Sequence, residues 1–218
     1  MTVRTNSGLQ MFMESAIAAA KTISAITLAA PGIVSSATHG FANGDIVLLE
    51  VQGTLELNGR LFKVVSTAAD SFQLAGPDGT TGMSTQGMTA FTSGTAKKVT
   101  LGTTLTGCMD FNAGGGDIKT IDATTVHDTQ DVEVVVGASA QSYEMTVQWD
   151  PASAAQQAMK AAFIARANKA FKIRWPDGAY ILFYGTVGYT GAPGGGKQGV
   201  TTSPAKISML GPLTEYAA

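Results

Sequence analysis

The chain has 218 residues, of which 44% are hydrophobic and only 14% are charged, whereas an average soluble domain carries about 25% charged residues. Two interpretations fit this composition: a β-rich protein with many turns, or a subunit whose surface is largely covered by copies of itself. The net charge of -2 and the lack of an arginine cluster argue against a nucleic-acid-binding protein. The lone cysteine excludes a disulfide within the chain.

Short strands separated by turns dominate the first third of the chain. Residues 9–20 fit either a helix or a strand, because the alanines favour a helix and the alternating Leu and Met residues favour a strand. Residues 22–75 predict a compact all-β module, since β-forming runs alternate with Pro-Gly and Asn-Gly turns. Residues 76–96 are rich in Gly, Ser and Thr and predict a return linker, with an ordered surface loop as the alternative.

The second half of the chain predicts further strands. Five segments have β character: Lys98–Thr106, Cys108–Phe111, Asp117–Ile121, Val132–Val136 and Gln141–Trp149. In the last of these, apolar and polar residues alternate with the period of two that is expected for a half-buried strand.

One helix is predicted to begin at Asp150 and Pro151. The aspartate can accept hydrogen bonds from the first free N–H groups, and proline suits the first helical position. Ala155, Met159, Ala162 and Phe163 recur at helical spacing, and this spacing assigns all four to the buried face of the helix. An aromatic hairpin that turns at Pro176–Gly178 follows the helix.

A glycine-rich segment running from Gly191 through Gly194 to Lys197 matches part of a phosphate-binding loop. Two features argue against phosphate binding. Gln198 stands where such a loop needs a Ser or Thr for magnesium, and the β-forming residues after Pro204 predict a last strand rather than a helix that could hold phosphates. A flexible surface loop therefore fits this segment better.

Two further groups of residues were considered as sites. Gly114 and Gly116 belong to a glycine run that suits a tight turn. Asp122, Asp128, Asp131 and Glu133 are close in sequence but lack the regular spacing of a calcium loop. They fit either a solvated face or a negative surface of an assembly. The two histidines show no metal-ligand spacing, and we predict no catalytic residue, no metal and no cofactor.

An ordered series of motifs from Cys108 to Leu213 resembles the major tail tube proteins of long-tailed, siphovirus-type bacteriophages. The series comprises Gly116–Asp122, Thr125–Asp128, a strand ending in Gln148–Pro151, the helix, Trp175–Gly178, and a Gly-rich hairpin before the last strand. Each motif alone is common, but their order and spacing together are specific.

Residues 22–75 resemble a second unit, a small β module that occurs in phage tail proteins and is named after a domain of ubiquitin-activating enzymes. The two resemblances imply a discontinuous tail tube domain made of residues 1–21 and 97–218, with the module at 22–75 and the linker at 76–96. The implied fold is mainly β, a tail-tube β-sandwich or barrel with one flanking α-helix plus a small inserted all-β domain.

The resemblance implies a structural virion protein and not an enzyme. In this family, six copies form a ring, and stacked rings build the hollow tail tube through which phage DNA is ejected. The lumen tends to be acidic, so double-stranded DNA passes without specific binding. The implied partners are copies of the chain itself, a tape measure protein, a tail terminator, and baseplate or distal tail proteins.

The same resemblance implies a place in the virion tail, after assembly in the bacterial host cytoplasm and without a membrane. The inserted module is expected to face solvent or a cell surface. Loops are expected to become ordered on assembly, and the positions that we assign to them are Gly114, Gly116, Asp122, Asp128, Asp131, Gly191, Gly194 and Lys197. Two alternatives remain: another virion β protein used for decoration or host-surface adhesion, and an enzyme that uses the Gly191–Lys197 loop.

Overall fold

The computed structural model describes residues 7–125, 127 and 129–218, and β-strands dominate these residues. In chain order the strands are β1 (Gln10–Met13), β2 (Ala16–Ile17), β3 (Lys21–Ile23), β4 (Ala25–Ile26), β5 (Val34–Ser35), β6 (Ile46–Gln52), β7 (Leu61–Val65), β8 (Ser71–Leu74), β9 (Ser93–Thr100), β10 (Thr103–Leu105), β11 (Cys108–Gly114), β12 (Ile118–Asp122), β13 (Glu133–Ala138), β14 (Ser142–Gln148), β15 (Asn168–Arg174), β16 (Tyr180–Gly188), β17 (Thr202–Met209) and β18 (Thr214–Tyr216).

The helical part of these residues is small: an α-helix, α1, spans Ala154–Ile164, and a short 3-10 helix spans Leu55–Leu57. The predicted mainly β fold with one flanking helix is therefore confirmed. Neither helix has the length and apolarity needed to cross a membrane, as judged over the described part of the chain.

Eight strands form one antiparallel sheet, here called the curled sheet. Its strand order is β10-β1-β15-β16-β17-β14-β11, and β18 pairs with the free part of β16. The outermost strands β10 and β11 are consecutive in the chain and joined only by residues 106–107, so the two ends of the sheet are drawn together. Apolar and polar residues alternate along the strands, so the apolar side chains lie on one face, inside the curl. There, Met11, Met145, Phe183 and Ile207 pack with Met159 of α1.

Eight shorter strands, β2 to β9, form a second sheet, here called the small barrel. Its order is β2-β9-β6-β7-β8-β5-β4, and β3 returns to pair with β9. Since Ser24 alone separates β3 from β4, this path closes on itself. The Ser24 N–H donates to Ser35 O at 2.9 Å across the closure. The interior is filled by buried apolar side chains that include Val47, Phe62 and Phe72.

The small barrel packs directly on the curled sheet. A third buried cluster lies between them, and it joins Leu48, Leu61 and Val99 of the barrel to Ala170 and Leu182 of the sheet. All five side chains are buried. The β7 strand therefore contributes to two cores, the interior of the barrel and the contact with the sheet.

The C-terminal segment crosses this contact and ties it together. The Tyr216 hydroxyl accepts a hydrogen bond from Lys63 N–H at 2.8 Å, and Ala217 N–H donates to Pro77 O at 2.7 Å. From the barrel side, Arg60 Nη2 donates to Leu213 O at 3.1 Å. The sequence prediction did not include the short strand β18, because three residues are too few to show a period.

The predicted linker at 76–96 is wrong at its C-terminal end, because β9 begins at Ser93 and pairs with β6 from Ser93 to Val99. The rest of this segment also packs on the small barrel. Thr85 is buried, and its backbone N–H donates to Ala29 O at 2.9 Å. Gly32 N–H donates to Met83 O at 2.9 Å. The segment is thus an ordered part of the barrel surface, while the division of the chain into domains stays a prediction.

The prediction that the last long strand begins after Pro204 is also wrong, since β17 contains this proline. Pro204 lies opposite Thr146 of β14. Trp149 N–H donates to Thr201 O at 2.9 Å, and hydrogen-bonded pairs alternate along an antiparallel ladder, so Pro204 falls in a non-hydrogen-bonded pair. Its backbone nitrogen points away from β14, toward the side of β17 on which β16 lies. Strand β16 pairs with β17 only from Lys206 to Met209, so it does not reach Pro204. No ladder hydrogen bond is lost there.

Candidate assembly surface

A two-stranded hairpin extends from the curled sheet between β11 and β14. Its strands β12 and β13 pair with each other in a sheet of their own. Large apolar side chains are exposed along it: Ile118, Ile121, Val132, Val134, Val135 and Val136. An isolated two-stranded hairpin is only marginally stable in water, and a contiguous exposed apolar patch marks an interaction site. The hairpin is therefore the leading candidate for a contact between molecules.

Glycines shape the base of this hairpin. Gly114 ends β11, and Gly115 and Gly116 follow with φ angles of 77° and 85°, in the left-handed region that favours glycine. A Cβ atom on Gly115 would collide with the carbonyl oxygen of Ala140 on the returning segment. The predicted tight turn at this glycine run therefore corresponds to the exit of the hairpin from the sheet.

The predicted acidic residues lie on this hairpin. Asp122 ends β12, and its carboxylate accepts a hydrogen bond from Thr124 N–H at 2.8 Å. Hydrogen bonds from Thr124 lower the pKa of the Asp122 carboxyl, so the residue is anionic at neutral pH. Asp131 and Glu133 are exposed on the other strand segment, while Asp128 lies outside the described residues. The hairpin thus combines apolar strands with a negative end.

The glycine-rich loop does not have the geometry of a phosphate site. Gly191 O accepts a hydrogen bond from the Trp149 indole at 3.2 Å, and Gly194 forms a backbone bridge with Thr202. Lys197 is exposed in the turn between them. The chain continues into β17 and not into a helix, so no helix N-terminus faces these glycines. The loop is a surface feature at the rim of the curled sheet.

The predicted start of the helix is wrong by three residues. Helix α1 begins at Ala154 with Ser153 at the N-cap position, while Asp150 and Pro151 form the turn before it. The Asp150 carboxylate accepts from Ala152 N–H at 2.9 Å, which is a local turn contact rather than a helix cap. Aspartate before proline fits both structures, and sequence alone does not separate them.

Gln156, which the sequence prediction did not single out, anchors the start of this helix. Its side chain is buried and donates to Gln148 O at 2.6 Å. Its Oε1 atom accepts from Asp150 N–H at 3.1 Å and from the Tyr189 hydroxyl at 2.8 Å. These three bonds fix the helix to the end of β14 and to the segment after β16.

One of the four residues assigned to the buried face of the helix is misplaced. Met159 is 1% exposed and packs in the curled sheet core, as predicted, whereas Phe163 is 40% exposed. The packed stripe follows Ala155, Met159 and Ala162. A spacing of four residues does not distinguish the centre of such a stripe from its edge, and Phe163 lies at the edge.

An open groove of about 570 Å³ lies beside Phe163. It crosses four strands of the curled sheet, and Met145, Ala205 and Thr190 also line it. The next residue of the helix, Ile164, is 71% exposed. The helix end and the groove thus form a second apolar surface, separate from the hairpin.

Within the described residues there is no cluster of three or more His, Cys, Asp or Glu side chains that could hold a metal ion. The Cys108 thiol is half-buried on β11, and burial raises its pKa, which keeps it protonated and weakly nucleophilic at neutral pH. The chemistry of the surface is therefore that of apolar contact and charge pairing.

Comparison with known proteins places this chain in a family. A family model described as phage tail tube protein matches residues 52–218, which is 167 of the 218 residues. The chain therefore belongs to the phage tail tube protein family, whose members are structural proteins of phage tails. The match begins at Gln52, the last residue of β6 in the small barrel, and so includes strands β7 to β9 and all strands of the curled sheet except β1. No curated protein sequence matches the chain.

Proposed function

We propose that this protein polymerises into stacked hexameric rings that form the hollow tail tube of a siphovirus-type phage, through which DNA is ejected. Membership of the tail tube family supports the tube. The main observation in favour of assembly through contacts between copies is the β12–β13 hairpin. Its exposed Ile and Val side chains belong to neither the curled sheet nor the small barrel.

The edges of the curled sheet support the same proposal. Strand β10 pairs only with β1, and β11 pairs only with β14, among the pairings of the described residues. Each of these strands therefore presents a free edge, which an adjacent copy can extend with a further strand. Lateral contacts of this kind close into a ring when the rotation between copies permits, and axial contacts between rings remain open.

The proposed partners are other copies of the chain, a tape measure protein inside the tube, a tail terminator at one end, and distal tail or baseplate proteins at the other. Assembly takes place in the host cytoplasm, and the product is part of the virion tail. DNA passes without specific binding, consistent with the net charge of -2 and the absence of an arginine cluster. Residues 22–75 are the inserted module, and its outer side faces solvent or a cell surface.

Negative-stain electron microscopy of the purified protein, over a range of concentrations, tests this proposal. We expect hollow rods, or rings with six-fold rotational averages, whose number rises with concentration. Single compact particles at every concentration, or particles that decorate a phage surface without forming rods, would instead support a decoration or adhesion protein.

A further inference from the structure

We propose that the groove beside Phe163 receives the β12–β13 hairpin of a second copy of this chain. The inference rests on the proposed function, because it names the surface that the hairpin meets in the assembled tube. It assigns a place in the assembly to the groove and to the exposed end of α1, neither of which has a role in the isolated subunit.

The groove offers apolar surface that the subunit itself does not cover. Phe163 and Pro204 are exposed in its lining, beside the buried side chains of Met145 and Ala205, and the Glu144–Lys206 ion pair also lines it. The groove is large enough, at about 570 Å³, to hold several aliphatic side chains. Ile164 extends the apolar surface beyond it. Exposed aromatic and aliphatic residues beside a groove are typical of the central part of a protein interface.

The hairpin supplies matching side chains. Ile121 and Val134 lie directly opposite each other across its two strands. Val135, which is 63% exposed, lies opposite Thr120 in the next pair and therefore on the other face, so that apolar side chains are exposed on both faces of the hairpin. The strands β12 and β13 pair only with each other in the described part of the chain, so these side chains have no sheet or helix of their own to cover them.

The hairpin and the helix side of the groove carry opposite charges. The hairpin segment, residues 115–141, contains five acidic residues and a single lysine. Residues 151–168, which contain α1, hold two basic residues, Lys160 and Arg166, and no acidic residue. On the helix side, Lys160 and Arg166 are exposed and form no ion pair with any described residue. A negative hairpin and a positive helix surface attract each other and orient the encounter.

The two surfaces are different, and this determines the kind of assembly they produce. When one copy offers a hairpin and the next copy offers a groove, the contact is heterologous, and each added copy leaves a new hairpin and a new groove free. Such a contact propagates along a tube. A hairpin that folded back on its own groove would end the assembly at a monomer.

Cross-linking between single cysteines tests the contact. In a Cys108→Ser background, one chain carries Val135→Cys and a second chain carries Ile164→Cys, and the two are mixed before assembly and treated with a short bis-maleimide. We expect a cross-linked dimer when assembled tubes are treated, and no dimer when the tubes are dissociated before the reagent is added. The matched control replaces Val135→Cys by Leu55→Cys, an equally exposed apolar position on the small barrel, and should give no dimer.

Three distinguishable results would contradict either the hairpin-groove contact or the proposed function on which it rests. Tubes without the Val135–Ile164 dimer contradict the hairpin-groove contact while leaving the tube intact. A cross-link within one chain, formed when both cysteines are placed on the same molecule and absent between copies, shows that the hairpin occupies its own groove. Absence of rods or rings from the unmodified protein contradicts the proposed function itself.

A charge exchange tests the same contact without relying on cysteine variants. Glu133→Lys on the hairpin should abolish or strongly reduce tube formation, and so should Arg166→Glu on the helix side. The double variant should recover assembly, because it restores opposite charges across the contact. If both single variants assemble like the unmodified protein at low salt, the contact is wrong.

Discussion

The phenolic oxygen of Tyr216 accepts a hydrogen bond from the backbone N–H of Lys63 at 2.8 Å, and this bond joins β18 of the curled sheet to β7 of the small barrel. Burial raises the pKa of the Tyr216 phenol above its ordinary value. The ring of Tyr180 lies 4.9 Å from that of Tyr216, and burial raises the pKa of Tyr180 to about 12. The contact between the two sheets thus favours neutral phenols.

We expect this contact to weaken at alkaline pH. An unfolded tyrosine loses its proton near pH 10, before the buried phenols do, so unfolding is coupled to proton release above that pH. The stabilisation is complete below about pH 10 and is lost as the pH rises toward the folded pKa, which is about 12 for Tyr180. Urea unfolding followed by circular dichroism at increasing pH measures the effect. A free energy of unfolding that stays constant through this range would contradict it.

The substitution Tyr216→Phe serves as the specific variant, with Tyr189→Phe as the matched control. Each removes one hydroxyl with a single hydrogen bond, to Lys63 N–H in the first case and to Gln156 in the second. Each should lower the free energy of unfolding at neutral pH by about 1 kcal/mol. Tyr216→Phe should make the alkaline loss of stability less steep than it is in the unmodified protein. Equal pH profiles for the Tyr216→Phe and unmodified proteins would refute the role of Tyr216.

Substitutions of Met159 and Phe163 should have different effects, the first on folding stability and the second on assembly. Because Met159 is 1% exposed, Met159→Ala should lower the free energy of unfolding by about 2–5 kcal/mol. Because Phe163 is 40% exposed, Phe163→Ala should change it by no more than about 0.5 kcal/mol, yet should reduce the fraction of protein that sediments as tubes. Thermal unfolding and sedimentation of the same samples provide both measurements. A large loss of stability in Phe163→Ala would return this residue to the core.

Much of the fold could be predicted from the sequence, because a strand with one buried face alternates apolar and polar residues with a period of two. The alternation that ends at Gln148 and the apolar runs of the small barrel correctly gave the strands. The prediction was wrong where one sequence pattern is compatible with two different local structures. Asp150 followed by proline fits a turn as well as a helix cap, and the spacing of Met159 and Phe163 does not show which residue lies at the edge of the stripe.

The surface features were harder to predict for a different physical reason. Whether an apolar side chain is buried depends on partners distant in the chain, so the predicted strand at Val132–Val136 does not show whether Val134 and Val135 are buried or lie on an isolated hairpin. The contact between barrel and sheet was missed in the same way. Ala170 and Leu182 lie in an ordinary alternating strand pair, and nothing local shows that a second sheet covers them.

The exposed strands of the hairpin should be required for assembly but not for folding. Val135→Asp places a charge on a side chain that is 63% exposed, so the free energy of unfolding should change by no more than about 0.5 kcal/mol. Tube formation should be lost, because the charge would be buried in the contact between copies. Leu55→Asp, on the exposed 3-10 helix of the barrel, is the control and should still assemble. Normal tubes of the Val135→Asp protein would exclude the hairpin from the contact.

Removal of the small barrel should not leave an intact subunit. Deletion of residues 22–96 with a short linker would expose Ala170 and Leu182, which the barrel now covers, and would remove the partner of Tyr216. We expect the shortened chain to aggregate, as measured by the soluble fraction and by size-exclusion chromatography. Replacing Leu182 with a polar residue should partly restore solubility. A soluble, tube-forming deletion variant would instead show that the curled sheet folds independently.

The central claim is that this chain builds a tube through contacts made by the β12–β13 hairpin. A cryo-electron microscopy reconstruction of the assembled protein tests it most directly. The account predicts a hollow tube of stacked six-fold rings, with Ile121, Val134 and Val135 buried against the adjacent copy. A tube in which these side chains remain in solvent, or a protein that forms no tube at any concentration, would contradict it.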